Sequence, residues 1–159
     1  MKNKFYSAVV LLLLVWGCSD NSASQEKAIS ESQQPVKASE IDEAKTKQVL
    51  DHHWQAFIQN NMEEVMADYT EESVLITPDR TYKELEEIRE NFKNAYQTFA
   101  QERTTFKLNK SVIVRDIGYI LWQAKTPTLD LTYASDTFII QNGKIISQTY
   151  AGVAHALKE

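Results

Sequence analysis

A lone carboxylate stands in the run Ser135-Asp136-Thr137-Phe138-Ile139-Ile140, among residues whose types call for at least partial burial. Removal from water raises the pKa of an acid, and an acid so placed can move a proton near neutrality or cap a bulge or pair with a base. Gln148 and Tyr150 follow within reach of the same sheet face, with an apolar body and polar tips that suit a ligand pocket. His53 lies between Leu50 and Phe57 on the inward side of a helix, near a cavity mouth, where it orients a substrate or simply sits satisfied by one hydrogen bond. His52 and His53 diverge by roughly 100° on a helix and cannot both ligate one metal. His155 is expected beyond the last strand, and no His, Cys or Asp spacing suggests zinc.

The face that Asp136 occupies depends on Asn142-Gly143, a hairpin signal because both residues tolerate positive φ. A two-residue type I′ turn pairs Gln141 with Lys144 and sets Asp136 opposite Thr149. A type I turn with Gly143 as a bulge shifts the register by one, so that Asp136 faces Gln148 and stands beside Tyr150, and gathers Asp136, Phe138, Ile146, Gln148 and Tyr150 on one face. The bulged form is preferred for that reason, and both remain open.

The elements that position these residues come earlier. Leu50, Trp54, Phe57 and Ile58 recur at helical spacing between Ile41 and Asn60. Asn61-Met62-Glu63-Glu64 offers a capping box for a short second helix with the stripe Met62, Val65, Met66 and Tyr69. Ser73 to Thr77 reads as a strand stopped by Pro78. Thr81 to Glu84 reads as a further capping box, opening a third helix with Leu85, Ile88, Phe92, Ala95 and Phe99 inward. The period then falls to two, with Phe106, Leu108, Val112 and Val114 on one side, and Tyr119 to Ala124 forms the next strand. The pattern predicts an α+β domain: three N-terminal helices packed on a strongly curved, mostly antiparallel sheet that encloses a cone-like cavity. Trp54, Tyr69, Trp122 and Tyr150 are core aromatics that can also wall it.

The chain of 159 residues, 43% hydrophobic and 25% charged, has the composition of one domain with extensions. Lys2 and Lys4 precede an apolar run, Ala8 to Trp16, too short to span a bilayer but suited to a signal peptide. Val15-Trp16-Gly17-Cys18 follows, and resembles the lipobox of bacterial lipoproteins, which implies acylation of Cys18 after removal of residues 1–17. Cys18 is the only cysteine, so no disulfide can form within the chain. With Ser19 rather than aspartate next, the resemblance implies an outer-membrane anchor facing the periplasm. Residues 18–39 are polar and form a tether of on the order of 25 Å on average, leaving a domain at 40–159. Cleavage removes two lysines and takes the formal charge from −5 to −7. An acidic chain without a basic cluster is a poor partner for nucleic acid.

The order of helix, short helix, strand ending at Pro78, helix, and four strands closing on Asp136-Thr137-Phe138 and Asn142-Gly143-Lys144-Ile145 resembles the nuclear transport factor 2-like superfamily. Within it the chain is most similar to SnoaL-like and ketosteroid isomerase-like domains. The isomerases use a tyrosine on the first helix, an aspartate base before a proline, and an acid on the penultimate strand. Trp54 and Thr77 occupy the first two positions and only Asp136 matches, which argues against steroid isomerisation. In SnoaL-like cyclases an aspartate near the position of Asp136 is the acid/base. The resemblance therefore implies either a domain that binds a small apolar or aromatic molecule, with Trp54, Tyr69, Thr77, Trp122, Phe138, Gln148 and Tyr150 around it, or an isomerase, cyclase or dehydratase working through Asp136 and His53. A silent protein-interaction domain is the remaining possibility. There is no glycine-rich phosphate loop, nucleophile elbow or cysteine nucleophile, and no cofactor or metal is expected. Homodimerisation through the outer sheet face is expected, using apolar residues such as Ile113 and Ile139.

Overall fold

The computed structural model describes residues 41–158. The signal peptide expected at 1–17, the acylated Cys18, the tether at 18–39 and the domain boundary at residue 40 all lie outside these residues. Within them, helix α1 (Glu43–Ile58) begins where the Asp42 carboxylate accepts the Lys45 N–H at 3.1 Å. Its inward stripe is Thr46, Val49, Leu50, His53, Trp54, Ala56 and Phe57. Burial of Leu50 or Phe57 is worth on the order of 1.5–3 kcal/mol each. The helix ends in a Schellman motif: Asn60 takes φ 53°, its N–H bonds to Phe57 O, and the Asn61 N–H bonds to Ala56 O.

Asn61 then starts α2 (Met62–Ala67) by accepting the Glu64 N–H at 3.2 Å. Only half of the expected capping box forms, because the Glu64 carboxylate turns away to His52. Val65, Met66 and Tyr69 are buried as their spacing predicts.

Strand β1 (Val74–Ile76) is followed by β2 (Thr81–Lys83), which pairs with it antiparallel. The expected capping box at Thr81 to Glu84 is therefore corrected: Thr81 to Lys83 are strand, and Lys83, at the cap position of α3 (Glu84–Phe99), makes no side-chain cap bond. The chain turns from strand to helix through Glu84 at φ 66°, and the Glu87 carboxylate accepts the Lys83 N–H at 2.7 Å. Ile88 and Phe92 are the buried anchors of α3.

Four long strands follow: β3 (Thr105–Val114), β4 (Ile117–Lys125), β5 (Leu129–Gln141) and β6 (Lys144–Ala156). The six-stranded sheet has the order β2-β1-β6-β5-β4-β3, antiparallel except where β1 runs parallel to β6. The last strand continues past its expected end, so His155 lies within β6, opposite Asp130.

Bulges decide which residues face the helices. Asn142 and Gly143 both have positive φ and Gln141 pairs with Lys144, which makes the turn type I′ and corrects the bulge expected at Gly143. The register still slips by one, two residues later, because Ile146 has no partner between the pairs Ile140–Ile145 and Ile139–Ser147. Asp136 is thereby set opposite Tyr150, rather than Gln148 or Thr149 as the two turns predict, and Phe138 opposite Gln148, because the slip runs in the sense opposite to that of a bulge at Gly143. Ile145, buried, replaces Ile146 on the inner face. A second bulge at Asn109 flips β3: Phe106 pairs with Ala124 on the inner side, whereas Val112 and Val114 pair with Tyr119 and Ile117 on the outer side. Ile113, expected outside, pairs with Gly118 and packs against the core instead. A third bulge, at Thr132, bends β5. The sheet curls over the helices, and the core lies between them.

Candidate functional site

Trp122 from β4 and Asp136 and Phe138 from β5 share the concave face with Gln148 and Tyr150 from β6. With His53, Trp54 and Phe57 of α1, Leu75 and Thr77 of the first hairpin and one side of α3, they line a cavity of about 190 Å³. Exposed Asn94 and half-buried Asn91 and Thr77 mark its mouth. The wall is dominated by aromatic side chains: Trp122 stands 5.6 Å from both Trp54 and Phe57, ring centre to ring centre.

Asp136 is 5% exposed and is the one carboxylate in the cavity wall. The Trp122 indole donates to Oδ2 at 2.7 Å and Gln148 Nε2 donates to Oδ1 at 2.7 Å. Burial pushes its pKa up; the two donors and the nearby His53 pull it back without cancelling the rise. Carboxylate oxygens accept about four hydrogen bonds between them, so acceptor capacity remains for a cavity occupant.

Behind the wall the polar contacts continue. The Tyr69 hydroxyl, outside the lining itself, donates to Gln148 Oε1 and lies 3.4 Å from His53 Nε2. Burial first, then the charges of Asp136 and Asp68, drive the Tyr69 pKa well above that of a free tyrosine. His53 Nδ1 meets Asp68 Oδ2 at 3.2 Å, and His52 Nδ1 meets Asp68 Oδ1 at 2.9 Å. His52 Nε2 reaches the exposed Glu64 carboxylate at 3.1 Å. Burial works against the His52 proton, but Asp68 and Glu64 outweigh it and its pKa is raised. An unbroken series of polar contacts thus runs from the surface at Glu64 to the cavity at Asp136.

Eight of the nine residues expected around the site line the cavity, and Tyr69 stands one layer behind. Thr77 is present, yet its hydroxyl is engaged with the Arg80 backbone, accepting its N–H at 3.2 Å and donating to its carbonyl at 3.0 Å. His53 faces the cavity, but its ring nitrogens point to Asp68 and Tyr69, so it reaches Asp136 only through intermediaries. Sequence reasoning missed Asp68, Asn91 and Asn94. The asparagines flank Phe92 and Ala95 on α3, and that proximity was the available signal; Asp68, fifteen residues from His53, offered none. Among the described residues no group of three or more His, Cys, Asp or Glu side chains is arranged to hold a metal ion.

No family model and no curated protein matches the chain by sequence. Solved structures match by shape. A protein from Kribbella flavida provisionally named a ketosteroid isomerase superposes with a TM-score of 0.61 at 9% identity, over 75% of this chain and 84% of that one. A nuclear transport factor 2-like protein of unknown function from Mesorhizobium loti gives 0.61 at 14% identity, over 70% and 93%. A protein from Sinorhizobium meliloti provisionally named a polyketide cyclase gives 0.57 at 11% identity, over 65% and 94%. The fold of residues 41–158 is the nuclear transport factor 2-like fold. Likeness at these identities establishes the fold and leaves activity to the site.

Proposed function

We propose that the domain binds a small apolar or aromatic molecule, about the size of a single ring and bearing one hydrogen-bond donor, inside the cavity with its donor on Asp136. The observation that carries this reading is a single buried carboxylate in a largely aromatic cavity of about 190 Å³. A cavity of about 150 Å³ takes benzene, so this one suits a monocyclic phenol or amine. Trp54, Trp122, Phe138 and Tyr150 would grip the ring and Gln148 would hold Asp136 in place. The test is native mass spectrometry of the full chain for a co-purified ligand, followed by calorimetry with a panel of monocyclic phenols and amines. An empty cavity that gives no heat with any of them would sink the reading.

A second reading, proton transfer on such a molecule, is supported by the raised pKa of Asp136, which moves an acid toward a working value. Thr77, tied to the Arg80 backbone, supplies no second base, and His53 would act by orienting. Conversion of a bound ligand by the wild type, absent in Asp136→Asn, would favour catalysis over binding alone.

The placement of this domain, residues 40–159, at the bacterial cell envelope is part of the same proposal. Signal-peptide removal at 1–17, acylation of Cys18 and a tether over 18–39 would hold it on the periplasmic side of the outer membrane, and the domain would pair with a second copy through its outer sheet face. The supporting observation is the Val15-Trp16-Gly17-Cys18 sequence after a short apolar run. Cys18→Ser should move the protein out of the membrane fraction; a variant still processed and still membrane-bound would reject the anchor.

A further inference from the structure

The hydrogen bonds behind the cavity are self-consistent in two opposite directions. In the first, His53 carries protons on both nitrogens. Nδ1–H donates to Asp68, Nε2–H to the Tyr69 oxygen, the Tyr69 hydroxyl to Gln148 Oε1, and Gln148 Nε2 to an ionised Asp136. In the second every bond between His53 and Asp136 reverses. Asp136 carries a proton and donates it to Gln148 Oε1, the amide turns over so that Nε2 donates to the Tyr69 oxygen, and the Tyr69 hydroxyl donates to a bare His53 Nε2. His53 Nδ1–H still donates to Asp68, and the Trp122 indole still donates to Asp136 Oδ2. The two arrangements hold the same number of protons; one proton has left His53 and one has arrived on Asp136.

Mixed arrangements fail for a physical reason. An amide presents a donor on one side and an acceptor on the other, so Gln148 cannot face an ionised Asp136 with its oxygen without setting two acceptors against each other. Both residues are buried, and a buried polar group without a partner gives up its hydration with nothing in return. We propose that His53, Tyr69, Gln148 and Asp136 form a two-state hydrogen-bond switch in which Asp136 is ionised when His53 Nε2 carries a proton and neutral when it does not, with Asp68 as the positioning residue that favours the ionised state.

The ionisable groups around the switch come from every packed element. His52 on α1 and Glu64 on α2 act on Asp68, which with Tyr69 follows α2; Tyr96 approaches Tyr69 from α3, and Tyr150 faces Asp136 from β6. Surface His52 shares the carboxylate of Asp68 with His53, so its charge state weighs on the balance from the solvent side. One state offers the cavity a carboxylate and the other a neutral acid, which would set whether cationic or uncharged donors are preferred. That consequence rests on the ligand-binding reading; the switch does not.

The test needs no ligand. The full chain, labelled with ¹³C in aspartate carboxyls and ¹⁵N in histidine rings, is titrated by NMR. Groups coupled by more than about one pK unit titrate in shared macroscopic steps, so the Asp136 carboxyl carbon and the His53 ring nitrogens should each show the same pair of steps. Tyr69→Phe keeps the ring but removes both bonds; each group should then follow a single step of its own, with the Asp136 midpoint displaced by about one unit or more. Asp68→Asn removes the carboxylate that accepts from His53 Nδ1, and the Asp136 signal at neutral pH should move toward its protonated position. Independent single steps in the wild type would overturn the proposal, whether or not the variants fold. Tyr69→Phe curves that overlay the wild type would overturn it as well.

Discussion

Gln148 stands opposite Phe138 in the β5–β6 ladder, yet its side-chain amide crosses diagonally to Asp136, placing Nε2 2.7 Å from Oδ1. The inward position of Gln148 follows from the unpaired Ile146, which lets Ile145 and Gln148, three residues apart, share one face. Gln148→Leu leaves the buried Asp136 with Trp122 as its sole donor and should cost about 1–3 kcal/mol in urea unfolding at neutral pH. Gln148→Glu should cost more, because it sets a second acid within hydrogen-bond reach of the first. A variant as stable as the wild type would show that the amide bond contributes nothing.

Asp136 should also leave a mark on the pH dependence of stability. Its folded pKa lies above the unfolded value, so between the two the folded state binds the additional proton. Its contribution to stability must therefore fall as pH rises from about 3.9 through the folded pKa. Asp136→Asn lacks this decline, and the difference in unfolding free energy between wild type and variant should move against the wild type across that window. Parallel profiles would contradict the raised pKa.

His52 has the opposite sign. Its folded pKa is raised by Asp68 and Glu64 despite the effect of burial, so its stabilisation is full below about 6.5 and is lost as pH climbs through the folded pKa. The ring is substantially exposed, and solvent screening keeps the gain below about 1 kcal/mol. His52→Gln should be measurably less stable than wild type at pH 5 and match it once the wild-type imidazole is neutral. A deficit that persists unchanged into alkaline solution would mean that His52 acts through packing.

Ala95 borders the cavity from α3. Filling a cavity commonly adds about 0.5–2 kcal/mol, and Ala95→Leu should raise the melting temperature while abolishing calorimetric binding of any single-ring ligand that the wild type takes. Retained binding in a stabilised variant would place the ligand elsewhere.

On the outer face, Ile117 and Ile139 are cross-strand partners, both exposed, with exposed Val114 opposite Ile117 on β3. Exposed apolar groups clustered on a sheet suit a partner surface. Wild-type protein at micromolar concentration should sediment as a dimer and Ile139→Lys as a monomer; a monomeric wild type would remove this face from consideration.

The sequence made the amphipathic helices legible, because Leu50, Trp54 and Phe57 or Ile88 and Phe92 repeat at a spacing that only one conformation satisfies. It also made the burial of Asp136 legible, since the strand around it is rich in residues that belong against a core, but not its role, which proton transfer, a bulge cap or an ion pair would fit equally. The bulges at Asn109, Thr132 and Ile146 were not legible: none carries glycine, and each is selected by how two strands twist over the core. That is why Ile113 was expected on the wrong face and Ile146 in the wrong wall. Strand β2 was hidden for a different reason, since Thr81 to Glu84 satisfies a capping pattern locally and is drawn into the sheet by the turn at Pro78 and Asp79. The partnership of Asp68 with both histidines depends on the angle between α1 and the end of α2, which no local pattern encodes.

The indole of Trp122 is hydrogen-bonded through its nitrogen to Asp136 and forms part of the cavity wall. An indole chromophore responds to charge near its ring, so the fluorescence of this tryptophan is an internal optical gauge of the carboxylate beside it. The emission spectrum should change as Asp136 gains or loses its proton, and Trp54, 5.6 Å away in the same cavity wall, contributes to that emission without touching the carboxylate. The charge state of a buried carboxylate can therefore be followed in dilute solution, without labels, from the light its own hydrogen-bond donor emits.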